Sequence, residues 1–450
     1  MTNSALINSI EKYPACTLIC IGDVMVDHFV YGDVGRISPE APIPVVSIER
    51  EESMLGGAGN VVRNLTSLGA NVIFLTVTGD DPAADSVATL LQALPRCESH
   101  IVRDPSRRTS VKTRYLAHNQ QLLRVDSETV SPLGEKQLEK LVANFESAVP
   151  RADVAILSDY GKGVLSETHA RCFITAGRAA GKPVYVDPKG HDFRRYYGAS
   201  LIKPNLRELA EATKMPVSNE VEVEAAARQL IRETDSAAIL VTRGSGGMML
   251  FRENAQAISF RSRAREVYDV SGAGDTAVAA VALGTAAGLR LEDAVEVACV
   301  AAGLVVAKVG TATLTPRELL HELESSEALV TDVKILGQEE AVHRVQLWKK
   351  TGFRIGFAGG CFRSLSASQV AALRQAKNGC EKLVVGLMSG GITGEDASKG
   401  TGAEHDRAIL LAALACVDLV VMFDGADTGD LIARLSPDTV TTVLVDEAAE

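Results

Sequence analysis

Between about residue 17 and residue 316, short apolar runs of strand length alternate with longer segments of helical periodicity. Continuous apolar strands separated by helices are typical of a largely parallel sheet that is covered on both faces. The runs, rich in Val, Ile and Leu, are 18–26, 71–76, 154–158, 184–187, 201–203 and 238–242. The predicted helices between and after them include 57–68, 135–147, 167–180, 221–234 and 293–306. This pattern predicts a large α/β domain.

Two segments break the alternation of apolar strands and helices. Residues 43–49 and 110–126 alternate apolar and polar side chains, as strands with one solvated face do. We interpret them as a small β-layer that stands off the main domain and is suited to be a lid or a dimer contact.

The length of 450 residues is enough for two or three domains. Residues 326–350 are charged, helix-prone and without strand runs, which indicates a linker between a first domain, 1–325, and a second, 351–450. In the second domain, strands are predicted at 354–358, 382–387 and 419–423, with helices at 368–377 and 406–415. It is therefore a smaller α/β unit.

Composition and charge narrow the possible partners. The net charge of −11 argues against broad binding to nucleic acid or to membranes. The eight Cys are scattered without a Cys-x-x-Cys pair, so reduced thiols are expected and a zinc site is not. The N-terminus lacks a signal pattern, and no apolar run is long enough to span a membrane. We expect a soluble cytoplasmic protein.

The segment 267–276, Val-Tyr-Asp-Val-Ser-Gly-Ala-Gly-Asp-Thr, carries the strongest chemical signal. Gly272, Ala273 and Gly274 are small residues directly before Asp275 and before an Ala-rich apolar run that reads as a helix. The start of such a helix presents free backbone N–H groups and a positive dipole end to an anion. A carboxylate in the same turn can take the proton from an attacking hydroxyl. The segment therefore predicts phosphoryl transfer to an alcohol, with Asp275 as the base.

A tight turn capped by an acid remains an alternative for this segment, and Asp275 could serve as a helix cap in either case. No Gly-x-x-x-x-Gly-Lys-Ser/Thr run occurs, so a P-loop kinase is not indicated.

Several ordered motifs resemble the ribokinase-like sugar kinases, and among them the heptose 7-phosphate kinase half of the bifunctional ADP-heptose synthesis proteins. They are the Gly-Ala-Gly-Asp turn, the early Gly-Gly-Ala-Gly-Asn at 56–60, and the segments 35–46, 119–126, 157–163, 187–190 and 203–205. The matches cover about the first 315 residues, and the C-terminal unit resembles the nucleotidyltransferase half.

This resemblance implies a three-layer ribokinase-like sandwich with a small β lid, followed by a smaller Rossmann-like nucleotidyltransferase-type domain. It implies that ATP and Mg²⁺ are used, with a monovalent cation as a further candidate. The expected reaction phosphorylates the anomeric hydroxyl of D-glycero-D-manno-heptose 7-phosphate to give the 1,7-bisphosphate, a precursor of the ADP-heptose of lipopolysaccharide. Another sugar phosphate or nucleoside as the acceptor, and a regulatory or scaffolding role for the C-terminal unit, remain open. We expect a homodimer.

Substrate-binding candidates follow from the residue types and the resemblance. Asp27, Gly56, Gly57 and Asn60 suit sugar hydroxyls and a close backbone approach, although the glycines could form a plain turn. A distal phosphate needs cations, each of which could instead be an ordinary solvated side chain. The candidate cations are Arg36, Lys112, Arg114, Arg124 and Lys189.

Nucleotide-binding candidates lie after two later strands. In the resembling kinases an Asn-x-x-Glu pair, here Asn205 and Glu208, organises magnesium through water, whereas spacing alone equally fits a helix capping box. Thr242, Gly244 and Gly247 resemble the loop on the nucleotide side, and residues 310–313 resemble the adenine or monovalent-cation region. Both of these segments could be plain turns.

The second unit departs from the transferase pattern that it resembles. Active domains of that type carry His-x-Gly-His at the first helix, whereas residues 366–369 read Ser-Ala-Ser-Gln. Arg363 stands where an Asp is expected, and Arg407 remains in a matching helix. Each lost preorganised charge costs on the order of a hundredfold in rate. We therefore expect an inactive transferase domain that is retained for packing or oligomer contacts.

Overall fold

The computed structural model describes residues 3–118, 120–263, 268–308, 310–327, 334–362, 365–389, 400–424 and 428–441. The chain divides into two compact units, residues 1–319 and 320–450. Among the helices of the described ranges, none is both long enough and apolar enough to cross a membrane.

The first unit contains thirteen strands among its described residues. They are β1 Thr17–Gly22, β2 Val24–Ile37, β3 Pro44–Gly57, β4 Asn71–Thr78, β5 Cys97–Arg103, β6 Ser110–Ala117, β7 Gln120–Ser127, β8 Val154–Ser158, β9 Val184–Asp187, β10 Leu201–Ile202, β11 Ile239–Thr242, β12 Met248–Phe251 and β13 Ile258–Phe260.

Its helices connect these strands, and the last one crosses the unit boundary. They are α1 Asn3–Ile10, α2 Ala58–Ser67, α3 Pro82–Gln92, α4 Glu135–Ala148, α5 Glu167–Ala179, α6 Leu206–Thr213, α7 Glu220–Thr234, α8 Ala273–Ala286, α9 Leu291–Val306 and α10 Pro316–Glu327.

Nine strands form the main sheet in the order β13-β12-β11-β10-β9-β8-β1-β4-β5. From β11 to β5 all neighbours are parallel, and only the β11–β12 and β12–β13 pairs are antiparallel. Ile19 and Ile21 of β1 pack in one core with side chains of α4, α5 and α7. Leu18 and Cys20 are equally buried but point to the opposite face, because strand side chains alternate, and there α2 and α8 contact β1. The predicted covered parallel sheet is confirmed.

A second, four-stranded sheet of the first unit has the order β3-β2-β6-β7. It confirms the predicted β-layer, but β2 and β3 are each 14 residues long and extend well beyond the predicted segment 43–49. The predicted single strand 18–26 is wrong, because the chain leaves the main sheet at Asp23. The carboxylate of Asp23 accepts backbone N–H groups of another loop, and β2 then continues into the second sheet.

The second unit is a five-stranded parallel sheet in the order β14-β17-β16-β15-β18. Its elements are β14 Ile335–Leu336, α11 Gln338–Lys350, β15 Ile355–Gly360, α12 Ala367–Asn378, β16 Lys382–Ser389, α13 Gly400–Ala412, β17 Leu419–Asp424, α14 Thr428–Leu435 and β18 Thr439–Thr441.

The helix α11 lies inside the predicted linker 326–350. It buries Ala341, Val345 and Trp348 and contacts β15, β17 and α14, so this part of the segment belongs to the second unit. The charged composition reflects the exposed face of an amphipathic helix rather than a solvated connection.

Candidate active site

The helix α8 begins at the Gly-Ala-Gly-Asp turn. Gly272 caps it in the left-handed region, at φ 81°, and a Cβ there would lie 2.8 Å from Nδ2 of Asn60. Both constraints favour glycine. Asp275 is the third residue of the helix, only 5% exposed, and the first-turn amides beside it have no acceptors within the helix.

The carboxylate of Asp275 accepts one hydrogen bond on each oxygen. The hydroxyl of Tyr160 donates to Oδ1 at 2.6 Å, and Nδ2 of Asn60 donates to Oδ2 at 2.7 Å. Burial raises the pKa of Asp275, while these two hydrogen bonds and the charge of Lys203 lower it in part. The result is a desolvated, oriented carboxyl group whose proton affinity is greater than that of an ordinary Asp.

A buried ion pair lies beside the start of α8. Nζ of Lys203 is 2.9 Å from Oδ1 of Asp187, and a Cβ on Gly274 would lie 3.4 Å from the same Nζ. Burial raises the pKa of Asp187 to about 7, although the charge of Lys203 opposes the rise. Burial has the largest single effect and lowers the pKa of Lys203, but the charge and hydrogen bond of Asp187, together with the charges of Glu208 and Asp275, outweigh burial and raise the pKa. A protonated ammonium group therefore faces the helix start.

These groups border a cavity of about 800 Å³, large enough for a small-molecule ligand. One wall is apolar and includes Met248, Val270, Cys299, Ala302 and Val306. The predicted residues that line the cavity are Gly272, Ala273, Gly274, Asp275, Asn205, Glu208, Thr242, Gly244, Gly247 and Lys189. The structure thus brings the predicted catalytic turn and all the predicted nucleotide-binding residues to one space.

Asn205 and Glu208 form a capping box at the start of α6. Oδ1 of Asn205 accepts from the amide of Glu208 at 2.9 Å, and Oε2 of Glu208 accepts from the amide of Asn205 at 3.0 Å. The capping box that the spacing of Asn205 and Glu208 allowed is therefore present, and it also orients Glu208 at the cavity.

Lys189 follows a strand of the main sheet, whereas Lys112, Arg114 and Arg124 lie on β6 and β7 of the second sheet. Its Nζ pairs with Oε1 of Glu208 at 3.1 Å, on the side of the cavity that holds Asn205 and Thr242. The reason is topological, because Lys189 follows β9, which neighbours β10 and the start of α6. The predicted role of Lys189 as a phosphate-binding cation, grouped with Lys112, Arg114 and Arg124, stays a prediction.

Asp27 and Gly56 meet across the pair β2–β3. A Cβ on Gly56 would lie 2.1 Å from Oδ2 of Asp27, so a larger residue would displace this carboxylate. The other oxygen, Oδ1, accepts from Arg114 at 2.6 Å. Gly57 caps α2 at φ 59°, directly before the turn that carries Asn60.

Lys112 on β6 and Arg124 on the neighbouring strand β7 both pair with the carboxylate of Asp126. Both lie 2.9 Å from Asp126, and Lys112 is much the more buried of the two. Arg36 lies nine residues beyond Asp27 on β2, roughly 30 Å of extended chain. The structure therefore does not bring Arg36 to the other cations, because β2 carries it to the far end of the second sheet.

The loop 310–313 lies next to the start of α8. A Cβ on Gly272 would be 3.6 Å from Cγ2 of Thr311, and Arg63 donates to the carbonyl oxygen of Thr311 at 3.2 Å. Arg63 also donates to Oδ1 of Asn60 at 3.3 Å, so the loop is tied to the donor side chain that holds Asp275.

Sequence reasoning did not include Tyr160, Asp187 and Lys203 among the site residues. Tyr160 lies two residues after β8, Asp187 is the last residue of β9, and Lys203 directly follows β10. All three are therefore near the carboxyl ends of parallel strands, the edge of the sheet at which α/β proteins bind ligands. That position is shared by many residues. The motifs at 157–163, 187–190 and 203–205, which contain these three residues, were a second signal in the sequence.

The donor set can be tested for its fit to magnesium. In the described part of the chain, no group of three or more His, Cys, Asp or Glu side chains is placed to hold a metal ion. The cavity nevertheless offers the oxygens of Glu208, Asn205 and Asp187. Mg²⁺ commonly combines one or two carboxylates with water and substrate phosphates, and the residues fit an ion that arrives with a nucleotide.

The corresponding turn of the second unit is arranged differently. Ser366 and Gln369 form a capping box at the start of α12, so the side chains at both ends of the replaced motif satisfy the helix terminus. Arg407 donates to the carbonyl oxygen of Cys361 at 2.6 Å. Arg363 lies outside the described residues.

Comparison with known proteins agrees with this geometry. The family model described as "pfkB family carbohydrate kinase" matches residues 17–318. The chain belongs to this family. It is a sugar kinase, and the match ends at the boundary of the first unit within two residues.

The similarity to curated relatives extends over both units. The Bifunctional protein HldE of Paramagnetospirillum magneticum is 47% identical over 440 residues, which are 97% of this chain and 90% of that protein. The Bifunctional protein HldE of Rhodospirillum rubrum is 45% identical over 441 residues, 97% of this chain and 88% of that protein. The chain thus also belongs with the bifunctional HldE proteins, as the motifs predicted.

Solved structures confirm the ribokinase-like fold. The ribokinase of Arabidopsis thaliana, solved with ribose and ATP, has a TM-score of 0.54 and 21% identity and covers 68% of this chain and 98% of its own. Phosphofructokinase-2 from Escherichia coli, solved with potassium, has a TM-score of 0.57 and 19% identity and covers 69% of this chain and 98% of its own.

Proposed function

We propose that the first unit is an ATP- and Mg²⁺-dependent kinase that phosphorylates the anomeric hydroxyl of D-glycero-D-manno-heptose 7-phosphate to the 1,7-bisphosphate. The observation that carries this proposal is the buried Asp275 at a helix start, beside an ammonium group and at the edge of a cavity of about 800 Å³. The choice of sugar rests on the sequence motifs and on the similarity to the HldE proteins along 97% of the chain.

In this mechanism Asp275 accepts the proton of the anomeric hydroxyl as the oxygen attacks the γ-phosphorus in line, while the bond from that phosphorus to the β,γ-bridging oxygen breaks and ADP leaves. The backbone amide at Gly274 and the ammonium group of Lys203 stabilise the charge that develops on the transferring phosphoryl group. The amide of Ala273 donates to the carbonyl oxygen of Val270 at 3.3 Å in this structure, and it would exchange this partner for the phosphoryl group. Tyr160 and Asn60 hold the carboxylate in place. Because these groups are fixed before the substrate binds, little reorganisation is needed during the reaction.

On the nucleotide side, the apolar wall around Met248 and Val306 suits an adenine ring, and the glycine loop at Gly244 and Gly247 suits its phosphates. Glu208 would hold Mg²⁺ through water, and the ion would neutralise charge on the nucleotide phosphates. Lys189, paired with Glu208, belongs with this nucleotide side in our proposal. The proposal also includes a monovalent cation that binds near residues 310–313.

On the acceptor side, Asp27, Gly56, Gly57 and Asn60 form the sugar-binding surface of this proposal. Lys112, Arg114 and Arg124 lie on the neighbouring strands β6 and β7 of the four-stranded sheet β3-β2-β6-β7, hereafter the lid sheet, and supply positive charge for the 7-phosphate. In this structure each of them pairs with Asp27 or Asp126. A phosphate would compete with these carboxylates for the cations.

The test is a coupled ADP-release assay with heptose 7-phosphate as the acceptor. Asp275→Asn keeps the size of the side chain but removes its basicity, and kcat is expected to fall by about a hundredfold or more. Asp293→Asn is a matched control, since Asp293 is also the third residue of its helix and is 7% exposed. Equal rates for wild type and Asp275→Asn would contradict the role of Asp275.

An acceptor panel distinguishes the heptose from other sugars. Sugar phosphates with a distal phosphate should depend on Arg114, so Arg114→Met should raise KM for them and leave KM for ATP unchanged. Faster turnover of a different sugar phosphate or of a nucleoside would replace the proposed acceptor and retain the kinase.

We further propose that the second unit does not transfer adenylyl groups. Ser366 and Gln369 are used as a helix cap, and the two imidazoles of the expected motif are absent from the sequence at 366–369. Incubation with ATP and heptose 1-phosphate should therefore give no ADP-heptose. Product formation would overturn this proposal, whereas retained binding of a nucleotide or partner would give the unit a regulatory role.

We also propose a homodimer through the lid sheet. Ile37, Ile48, Leu123 and Val125 are 62%, 54%, 56% and 46% exposed, and an interface between two copies of the chain would bury these apolar side chains. Light scattering should give twice the chain mass, and Leu123→Lys should shift it toward the monomer. A monomeric wild type would contradict the dimer.

A further inference from the structure

Asp23 is a buried carboxylate that the proposed reaction does not use. It lies at the break between β1 and β2 and is 1% exposed. Its Oδ2 accepts from the backbone amides of Tyr160 and Lys162 at 3.0 Å each, and its Oδ1 accepts from the amide of Val164 at 3.0 Å. Three amides of one loop therefore converge on one side chain, which fixes the loop after β8.

The backbone of Asp23 anchors a second segment. Its carbonyl oxygen accepts from the amide of Ala58, the first residue of α2, at 3.0 Å. A Cβ on Gly57 would lie 2.5 Å from the same oxygen, so the contact depends on glycine at that position. The helix that starts there presents Asn60 two residues later.

The two anchored segments supply both hydrogen-bond donors to Asp275. Tyr160, on the loop, donates to Oδ1, and Asn60, on α2, donates to Oδ2. We propose that Tyr160 is a positioning residue for Asp275, and that Asp23 fixes both donors through its side chain and its backbone. This inference rests on the proposed role of Asp275 as the base.

The geometry explains why a tyrosine serves at this position. A carboxylate that is held by one donor can still rotate about its Cβ–Cγ bond, whereas donors on both oxygens fix the carboxylate plane. The single hydroxyl proton of Tyr160 is already directed at Oδ1, so its bond leaves further lone pairs of the carboxylate for an attacking hydroxyl. Positioning of this kind keeps the base in its reactive orientation before the acceptor binds.

The pH dependence of the reaction tests this role, because charged groups surround Asp275 from several elements. Lys203 follows β10, Asp187 ends β9, Asp27 lies on β2, and Cys20 lies on β1. The hydrogen bond from Tyr160 lowers the pKa of Asp275, so its loss raises that pKa. Since the base acts when ionised, activity rises with pH through this pKa.

Tyr160→Phe is the first experiment. The rising limb of kcat/KM should move to higher pH, so that below its midpoint kcat/KM falls about tenfold, as expected for a hydrogen bond to a charged group. On the pH plateau kcat should fall while KM for ATP stays within about twofold.

Tyr196→Phe is the matched control, since the hydroxyl of Tyr196 donates to Oδ2 of Asp159 at 2.6 Å in a similarly buried pair. In Tyr196→Phe the rising limb of kcat/KM should remain at the same pH as in the wild type. An unmoved limb in Tyr160→Phe, or an equal shift in Tyr196→Phe, would overturn the inference.

A readout without turnover separates this inference from the proposed function. In protein labelled with 13C at aspartate carboxyl carbons, the Asp275 resonance is assigned by its loss in Asp275→Asn. Its titration midpoint should rise in Tyr160→Phe, even if heptose 7-phosphate proves not to be the acceptor. An unchanged midpoint would overturn the positioning role, whereas an inactive wild type with a shifted midpoint would overturn only the proposed acceptor.

The anchor is tested by Asp23→Asn. The side chain of Asn replaces one carboxylate oxygen with an NH2 group, which cannot accept a hydrogen bond. Depending on its orientation, this NH2 group faces two of the three backbone N–H groups of the loop or only one, so at least one bond is lost. With folding checked by circular dichroism, kcat should fall, and adding Tyr160→Phe should cost clearly less than in the wild type, because the loop is already released. Full additivity of the two changes would show that Asp23 does not act through Tyr160.

Discussion

The start of α8 in the first unit and the start of α12 in the second differ in how their free backbone amides are satisfied. Both helices have first-turn amides that need partners. At α12 the side chains of Ser366 and Gln369 satisfy these groups, whereas at α8 no side-chain cap is formed and Gly272 leaves the helix start open to the cavity.

The surroundings differ even more than the caps. Asp275 and Lys203 are fully enclosed side chains with opposite charges near the start of α8, and Tyr160 and Asn60 hold the acid. We infer that a helix start can transfer phosphate only when charged groups are fixed around it. Three predictions test this comparison.

The largest effect is expected from a buried lysine in each unit. Lys203 pairs with Asp187 at 2.9 Å and Lys382 pairs with Glu324 at 2.7 Å, and both ammonium groups are almost fully buried. Replacing either by Met leaves a carboxyl group without its cation and should cost roughly 3–5 kcal/mol of stability. Only Lys203→Met should also lower the kinase kcat, by about a hundredfold.

Urea unfolding distinguishes the two variants, because the single Trp, Trp348, lies in the second unit. Lys382→Met should move the fluorescence transition, whereas Lys203→Met should move only the transition seen by circular dichroism. A loss of kinase activity in Lys382→Met with the first unit still folded would break the comparison.

A smaller effect concerns the pH dependence of stability in the first unit. Burial and the charge of Asp23 raise the pKa of Asp159 to about 6, from an ordinary value of 3.8. A raised folded-state pKa contributes stability that is complete below the unfolded value and is lost as the pH rises through 6. Relative to Asp159→Asn, the wild type should therefore lose roughly 3 kcal/mol between pH 4 and pH 7.

The measurement is urea unfolding of both proteins at several pH values. Asp293 provides a control of opposite sign, because its bond to Arg290 lowers its pKa. The stability contributed by Asp293 is present above its unfolded pKa and is lost on acidification. A wild-type stability that rises relative to Asp159→Asn over this pH range would contradict the burial of the Asp159 charge.

The smallest effect sharpens the comparison at the two capping boxes. Asn205→Ala at α6 and Ser366→Ala at α12 should each cost about 1 kcal/mol of stability, since each removes one cap. Only Asn205→Ala should raise KM for ATP, because its box orients Glu208 at the cavity. An equal effect of both variants on kinase kinetics would mean that the cap at α6 acts through folding alone.

Much of the fold could be predicted from local patterns. Continuous apolar strands such as Val154–Ser158 and Val184–Asp187 have the bounds that their runs predicted. The break at Asp23 could not, because it depends on amides 137 to 141 residues further along the chain. The sequence pattern predicts a linker where α11 lies, because the apolar face of this helix is recognisable only once the second sheet supplies a surface for Trp348.

For the candidate site, the sequence by itself determined the chemistry of the Gly272–Asp275 turn, because a glycine-lined helix start and its acid are local properties of consecutive residues. Only the tertiary structure decided what surrounds that acid. Tyr160, Asn60 and Lys203 are 115, 215 and 72 residues away along the chain. Tyr160 and Lys203 reach the acid because parallel strands bring their carboxyl ends to one edge of the sheet, whereas Asn60 lies on α2, which contacts α8. Spacing in the sequence carries no information about such contacts, since burial and strand order alone set which side chains meet.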